Sequence, residues 1–206
     1  MHSRPVILAP TLLEYVAAKC VLPGADVIWS GIGLARLRHW DRTRLYLICG
    51  LAGGLTSDVR PGTLLIPERV GLADGRLFDC DGDAVAALHA ALSLTHAPVD
   101  ARPMLTADGM VVGRARSAWA GRGFVGVDME TGKLARAGAR VATVRVVLDS
   151  VGQEISAEWR QPLLTLRRSS SWKELSWLAR AAPRYAWAAA RALKPGMALL
   201  SMDQCR

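Results

Sequence analysis

The sequence predicts an α/β protein: a three-layer α/β/α sandwich built on a mixed central sheet. Short apolar runs of strand length alternate with amphipathic stretches of helix length, the pattern of a sheet covered by helices. One pair of runs, Thr63–Ile66 and Arg76–Phe78, has no helix between its members, so the sheet is mixed rather than purely parallel. A chain of 206 residues, 51% of them apolar, supplies a core for one large unit and leaves little room for a second.

The elements follow in order. Val6–Ala9 is a strand, and Thr11-Leu12-Leu13-Glu14 is a capping box that opens a helix over Leu12–Val21. The strand Asp26–Ser30 leads through a glycine turn into a helix over Gly33–His39. Leu45–Cys49 runs into Ala52-Gly53-Gly54, read as a tight turn where backbone N–H groups can approach a ligand closely. A second turn at Asp58–Gly62 precedes Thr63–Ile66. Then come a helix at Asp83–Thr95, a strand at Met104–Thr106, a helix at Arg114–Ala120 and a strand at Phe124–Val127. The helix Thr131–Ala137 and the strand Ala142–Leu148 close this region. The chain is helical from Trp172 onwards, with Pro183 starting a second helix there. The whole, 1–206, reads as a single domain with a basic helical extension at about 160–206.

A net charge of +8 favours an anionic partner, yet no recognition-helix, zinc-finger or RNA-binding signature is present, so no nucleic acid is expected. Cys20, Cys49, Cys80 and Cys205 are scattered without a CxxC pair, which argues for reduced thiols and against a metal site. No apolar run approaches the roughly 18 residues of a membrane helix. Pro5, Pro10 and Glu14 interrupt any signal-like segment after Arg4, so a cytoplasmic location is expected.

Polar groups at the carboxyl ends of strands line the ligand crevice in sheets of this type. Asp128-Met129-Glu130 and Asp149 both lie at such ends, and Glu14 follows the first strand on the same rim. Arg145 stands inside an apolar strand, where a guanidinium needs a carboxylate; Asp149 and Glu130 are the nearest candidates.

In combination, GIGLARL, GLAGGLTSDVRPGTLLIP, VDMETGKLA and VRVVLD resemble, in order from Val6 to about Asp149, the motifs of the nucleoside phosphorylase and nucleosidase superfamily. The resemblance implies cleavage of a purine N-glycosidic bond by a homo-oligomer without a cofactor. It implies that Glu130 grips the ribose hydroxyls and Met129 packs on the sugar, with Asp128, Ala52, Gly53 and Gly54 completing the substrate site. Asp149 would give a proton to purine N7, Arg145 would hold that aspartate, and Glu14 would act as the base. Leu51 stands where members carry Ser or Thr, Ile48 where hexameric phosphorylases carry Arg, and Leu148 where a serine precedes the acid. Phosphate as co-substrate and water as nucleophile therefore both stay open. Within the superfamily the chain is similar to hopanoid-associated phosphorylases, which implies adenine release from a lipid-linked nucleoside, adenosylhopane. A soluble purine nucleoside phosphorylase, a methylthioadenosine/S-adenosylhomocysteine nucleosidase, a futalosine hydrolase and an inactive nucleoside-binding protein are the alternatives.

In the C-terminal extension, helical spacing puts Lys173, Trp177 and Arg180 on one face, as it does Arg184, Trp187 and Arg191. Leu175, Leu178, Ala182, Tyr185, Ala189 and Leu193 lie opposite. Exposed tryptophans among basic residues are expected to form a peripheral contact with an anionic membrane.

Overall fold

The computed structural model describes residues 4–93, 98–155 and 171–203. Among them, ten strands form one mixed sheet: β1 (Val6–Ala9), β2 (Asp26–Trp29), β3 (Leu45–Gly54), β4 (Leu64–Leu65), β5 (Arg69–Leu72), β6 (Leu77–Asp79), β7 (Val99–Asp100), β8 (Met104–Thr106), β9 (Gly126–Asp128) and β10 (Arg140–Asp149). The α-helices are α1 (Leu12–Val21), α2 (Gly82–Ser93), α3 (Arg114–Ala120), α4 (Thr131–Arg136) and α5 (Ser171–Asp203).

Strands β3 and β10 are the long members and run parallel, in register from Leu45↔Arg140 to Ala52↔Val147, with a one-residue shift before Gly53↔Asp149. The other edge of β3 is divided between two partners. Its start pairs in parallel with β1, from Tyr46↔Val6 to Ile48↔Leu8. Its end pairs antiparallel with β9, at Gly53↔Val127 and Gly54↔Gly126. Residues 49–52 lie between these partners, where the sheet forks. The period of two along β3 sends Leu45, Leu47 and Cys49 to a core shared with α1, α2 and α5, and sends Tyr46 and Ile48 to a smaller core with Leu134 of α4. Burial on both faces is why these strands are apolar at successive positions, and it gives the expected three layers.

Four differences from the sequence reading have physical causes. The helix expected at Gly33–His39 is only a 3₁₀ turn at Ile32–Leu34. Gly31, Gly33 and even Leu34 adopt positive φ there, which ends any helix. Ala52-Gly53-Gly54 is no turn, because pairing with β9 and β10 extends β3 through Gly54. The strands β5 (RVGL) and β7 (VD) were not expected: β7 has only two residues, and β5 begins on a charged residue and carries a glycine. Pro183 opens no new helix: α5 continues through both Pro183 and Pro195. The residues four before them, Ala179 and Arg191, lie on the exposed side, so water can satisfy the carbonyls that the prolines leave unpaired. The first residues of the expected extension, the end of the expected helix at Thr95, and Cys205 lie outside the described residues. Cys49 and Cys80 are buried free thiols, both pushed up to about 12 chiefly by burial, while Cys20 is exposed.

Candidate active site

The fork in the sheet is closed by side chains rather than by strand. Glu14 stands at the third position of α1, where the capping box holds it: Thr11 N–H and Oγ–H donate to Glu14 Oε2 at 2.7 and 2.6 Å. Its Oε1 accepts the backbone N–H of Leu51 at 2.7 Å, across the open edge of β3. Arg145 Nη1 donates to the Leu51 carbonyl at 3.3 Å. Gly50 makes this approach possible, since a Cβ there would collide with the Glu14 carboxylate and sit 3.0 Å from Arg145 Nη1. The cap and the inward carboxylate are therefore one arrangement.

Arg145 is 1% exposed and sits at an odd position of β10, with Val141, on the side covered by α4. That is where the β9–α4 junction delivers its carboxylates. Arg145 Nη2 donates to Asp128 Oδ2 and to Glu130 Oε2, each at 2.7 Å. Its partners are thus Asp128 and Glu130, and the expectation that Arg145 holds Asp149 is corrected. Strand geometry gives the reason: four residues at about 3.3 Å each separate positions 145 and 149 by about 13 Å. Burial works against the Arg145 charge, but Asp128, Glu130 and Glu14 together hold the guanidinium above its ordinary value.

Asp128 is wholly engaged. Besides Arg145 it accepts the Thr131 N–H at 3.2 Å and the Thr131 hydroxyl on Oδ2, and Thr106 Oγ1 at 2.5 Å on Oδ1. It accepts the first N–H of α4, which fixes the junction, and it also reaches the wall of the cavity at the site. Glu130 makes no cap. Its Oε1 accepts the Gly33 N–H at 2.7 Å, which ties the 3₁₀ turn to the site. Burial raises Glu130 above the ordinary carboxylate range against the pull of Arg145.

Asp149 is held by a residue that the sequence reading left without a role, Arg116 of α3. The Arg116 guanidinium is buried and ion-paired to Asp149 Oδ2, and it donates to the carbonyls of Val111 at 2.9 Å and Gly54 at 2.8 Å. Oδ2 also accepts the Ile155 N–H at 3.1 Å. Burial raises Asp149 above its ordinary value although Arg116 and the Ile155 N–H pull it down. The available signal was a cation at helical spacing with Trp119 and Ala120, the inward-facing residues of α3.

A cavity of about 290 Å³ lies where these groups converge. Glu14, Asp128, Glu130, Arg145, Asp149, Met129, Ala52 and Gly53 line it, with Leu51, Leu148 and Ile32 as apolar wall. Gly54 does not; its carbonyl accepts from Arg116. Ile48 is fully buried in the core below α4. Both guanidiniums at the cavity are committed to carboxylates, so among the described residues no cation there is left over for an anionic co-substrate. No group of three His, Cys, Asp or Glu side chains is placed to hold a metal among the described residues. No described helix is long and apolar enough to cross a membrane.

The fold, a mixed sheet forked around a carboxylate-lined cavity, is shared with solved nucleosidases and a futalosine hydrolase. Solved structures with the same architecture include an aspartate-to-asparagine variant of the Helicobacter pylori 5′-methylthioadenosine/S-adenosylhomocysteine nucleosidase with 5′-methylthioadenosine in its active site. It is 16% identical, covers 95% of this chain and 98% of its own, and has a TM-score of 0.73. The H. pylori futalosine hydrolase is 15% identical with a TM-score of 0.71, over 95% and 97% of the two chains. The Neisseria meningitidis 5′-methylthioadenosine/S-adenosylhomocysteine nucleosidase, in complex with methylthio-immucillin-A, is 14% identical with a TM-score of 0.70, over 95% and 98%. No protein-family profile matches the chain, and no curated protein matches it in sequence.

Proposed function

We propose that the protein hydrolyses the N-glycosidic bond of a purine nucleoside. The observation that carries this reading is the convergence of Asp149, Glu130 and Glu14 on one cavity where, among the described residues, both guanidiniums are committed to carboxylates. Asp149 Oδ2 is occupied by Arg116 and Ile155, so a proton on this carboxyl resides on Oδ1, free of those bonds. It passes to purine N7 as the C1′–N9 bond breaks and the bond pair moves into the base. Lone pairs of Glu130 not used by Gly33 or Arg145 accept the ribose hydroxyls. The sugar becomes oxocarbenium-like, and a water adds to C1′ while Glu14 takes its proton. The fold shared with nucleosidases and a futalosine hydrolase supports the reaction class.

An adenosine with an apolar 5′ substituent is the substrate class we favour. Ile32 lines the cavity and is 56% exposed, Leu51 replaces a hydroxyl residue in its wall, and the motif likeness to hopanoid-associated phosphorylases points the same way. The test is incubation with methylthioadenosine, S-adenosylhomocysteine, futalosine and 5′-alkyl adenosines, with and without phosphate, monitored for free base. The expected result is base release at the same rate in both conditions, fastest with an apolar 5′ group. An absolute phosphate requirement would overturn hydrolysis, and no base from any of them would remove the activity.

Glu14→Ala separates cap from base. Loss of a cap costs about 1 kcal/mol of stability and does not by itself slow turnover. A drop in base release of about a hundredfold or more in a folded, slightly less stable protein is expected. Unchanged turnover would leave Glu14 as a cap alone.

A further inference from the structure

Helix α5 carries two opposed stripes at alternating spacings of three and four. Ala186, Ala189, Leu193, Gly196 and Leu200 form the inner one and are buried. Gly196 lets the helix close on α2, since a Cβ there would meet Leu88 Cδ2 at 2.5 Å. Trp177, Arg180, Arg184, Trp187, Arg191 and Lys194 form the outer one, in which all four cations are exposed. Sequence positions 175–202 contain no Asp or Glu, and no described carboxylate forms a salt bridge with these cations. The indoles are half-buried rather than fully exposed, which corrects the expectation for them: Trp187 packs on the main core, with the Arg191 guanidinium 6.0 Å from its ring centre. Lys173's side chain lies outside the described residues.

Helix α1 packs beside α5 on the same face of the sheet, so the outer sides of both helices look to the same solvent. On α1 that side shows Leu12 at 54% and Val16 at 46% exposure, with Lys19 exposed beside them. Its acidic residue, Glu14, is turned inward.

We propose that the α5–α1 face docks on an anionic lipid bilayer. A purely solvated face would be expected to mix signs of charge; among the described side chains on the outer sides of the two helices, the charged ones are all cations. Rings at the border of a basic stripe and exposed aliphatics alongside match the interfacial zone, where cations meet headgroup phosphates and apolar side chains reach the acyl boundary. Attraction to anionic lipid falls off within a Debye length, so the association is salt-sensitive.

The test uses the full chain in co-sedimentation with vesicles of phosphatidylcholine alone or with one-third phosphatidylglycerol. Binding to the anionic vesicles at low salt is expected, with little to the neutral ones and loss of most of it near 0.5 M salt. Arg184→Glu with Arg191→Glu should weaken binding by about tenfold or more, whereas Arg184→Lys with Arg191→Lys retains it. Both positions are exposed and outside the cavity, so thermal melting and base release serve as folding controls. Failure of the chain to sediment with anionic vesicles at low salt overturns the proposal. So does binding that survives the charge reversal, or a dimer in solution that the reversal splits while vesicles are ignored, which would assign the face to a second copy.

Discussion

Asp149→Asn slows base release by about a hundredfold or more while the protein stays folded. The amide keeps the shape of the carboxyl, and its oxygen can still accept from Arg116 and the Ile155 N–H. What it lacks is a transferable proton. The measurement is steady-state release of purine from the best substrate, and a variant within a few-fold of wild type would remove Asp149 from the reaction. The pH dependence has a defined sign. Burial raises Asp149, so the acid form persists above the ordinary value of 3.8, and activity declines as pH rises through the raised value. That limb should vanish in Asp149→Asn. Stability follows the same sign: a raised folded value contributes most below the unfolded one and is lost as pH rises through the folded one. The wild type therefore loses stability over that window relative to the variant, which a series of thermal melts would register.

Arg145→Met should be the most destabilising single change at the site, by about 3–5 kcal/mol. Asp128 and Glu130 are both buried and both rest on Arg145 Nη2, so its removal leaves two carboxylates without their countercharge. The methionine can fill the volume but returns none of the hydrogen bonds. Chemical denaturation at neutral pH measures the loss. The deficit should shrink as pH falls, because Glu130, already raised by burial, then takes up a proton and no longer needs the cation. A variant as stable as wild type at neutral pH would mean that the triad contributes no net stability. Any residual activity should show a weakened grip on the sugar, since Glu130 loses the bond that orients it.

Much of this site was legible because it depends on local pattern. The capping box at Thr11 and Glu14 is a spacing of three, and the structure keeps it. Glu130 and Asp149 follow apolar runs, and the ends of strands are where a sheet of this type opens to a ligand. Arg145 declared itself by being charged inside an apolar strand. Of the two carboxylates expected beside it, Glu130 is a partner and Asp149 is not, because for Asp149 nearness in sequence was taken for nearness in space along an extended chain. The helix expected after Gly33 failed for another reason: glycines and Leu34 at positive φ make a turn whose N–H serves Glu130, 97 residues away.

The sequence alone determined the alternation of strands and helices, the rim on which the acids lie, and the need of Arg145 for a carboxylate. These follow from periodicities of two and 3.6 and from the cost of a bare buried charge. Only the tertiary structure decided which carboxylate meets which guanidinium. Arg116 reaches Asp149 across 33 residues and Arg145 reaches Asp128 across 17, because α3 and the β9–α4 junction are brought over the ends of β3 and β10. The fork at residues 49–52 has the same origin: two strands claim one edge of β3 at different heights, and the backbone groups between them are met by Glu14 and Arg145. Charge pairing in a low-dielectric interior is decided by distances of a few ångströms, and the packing of distant segments sets those distances.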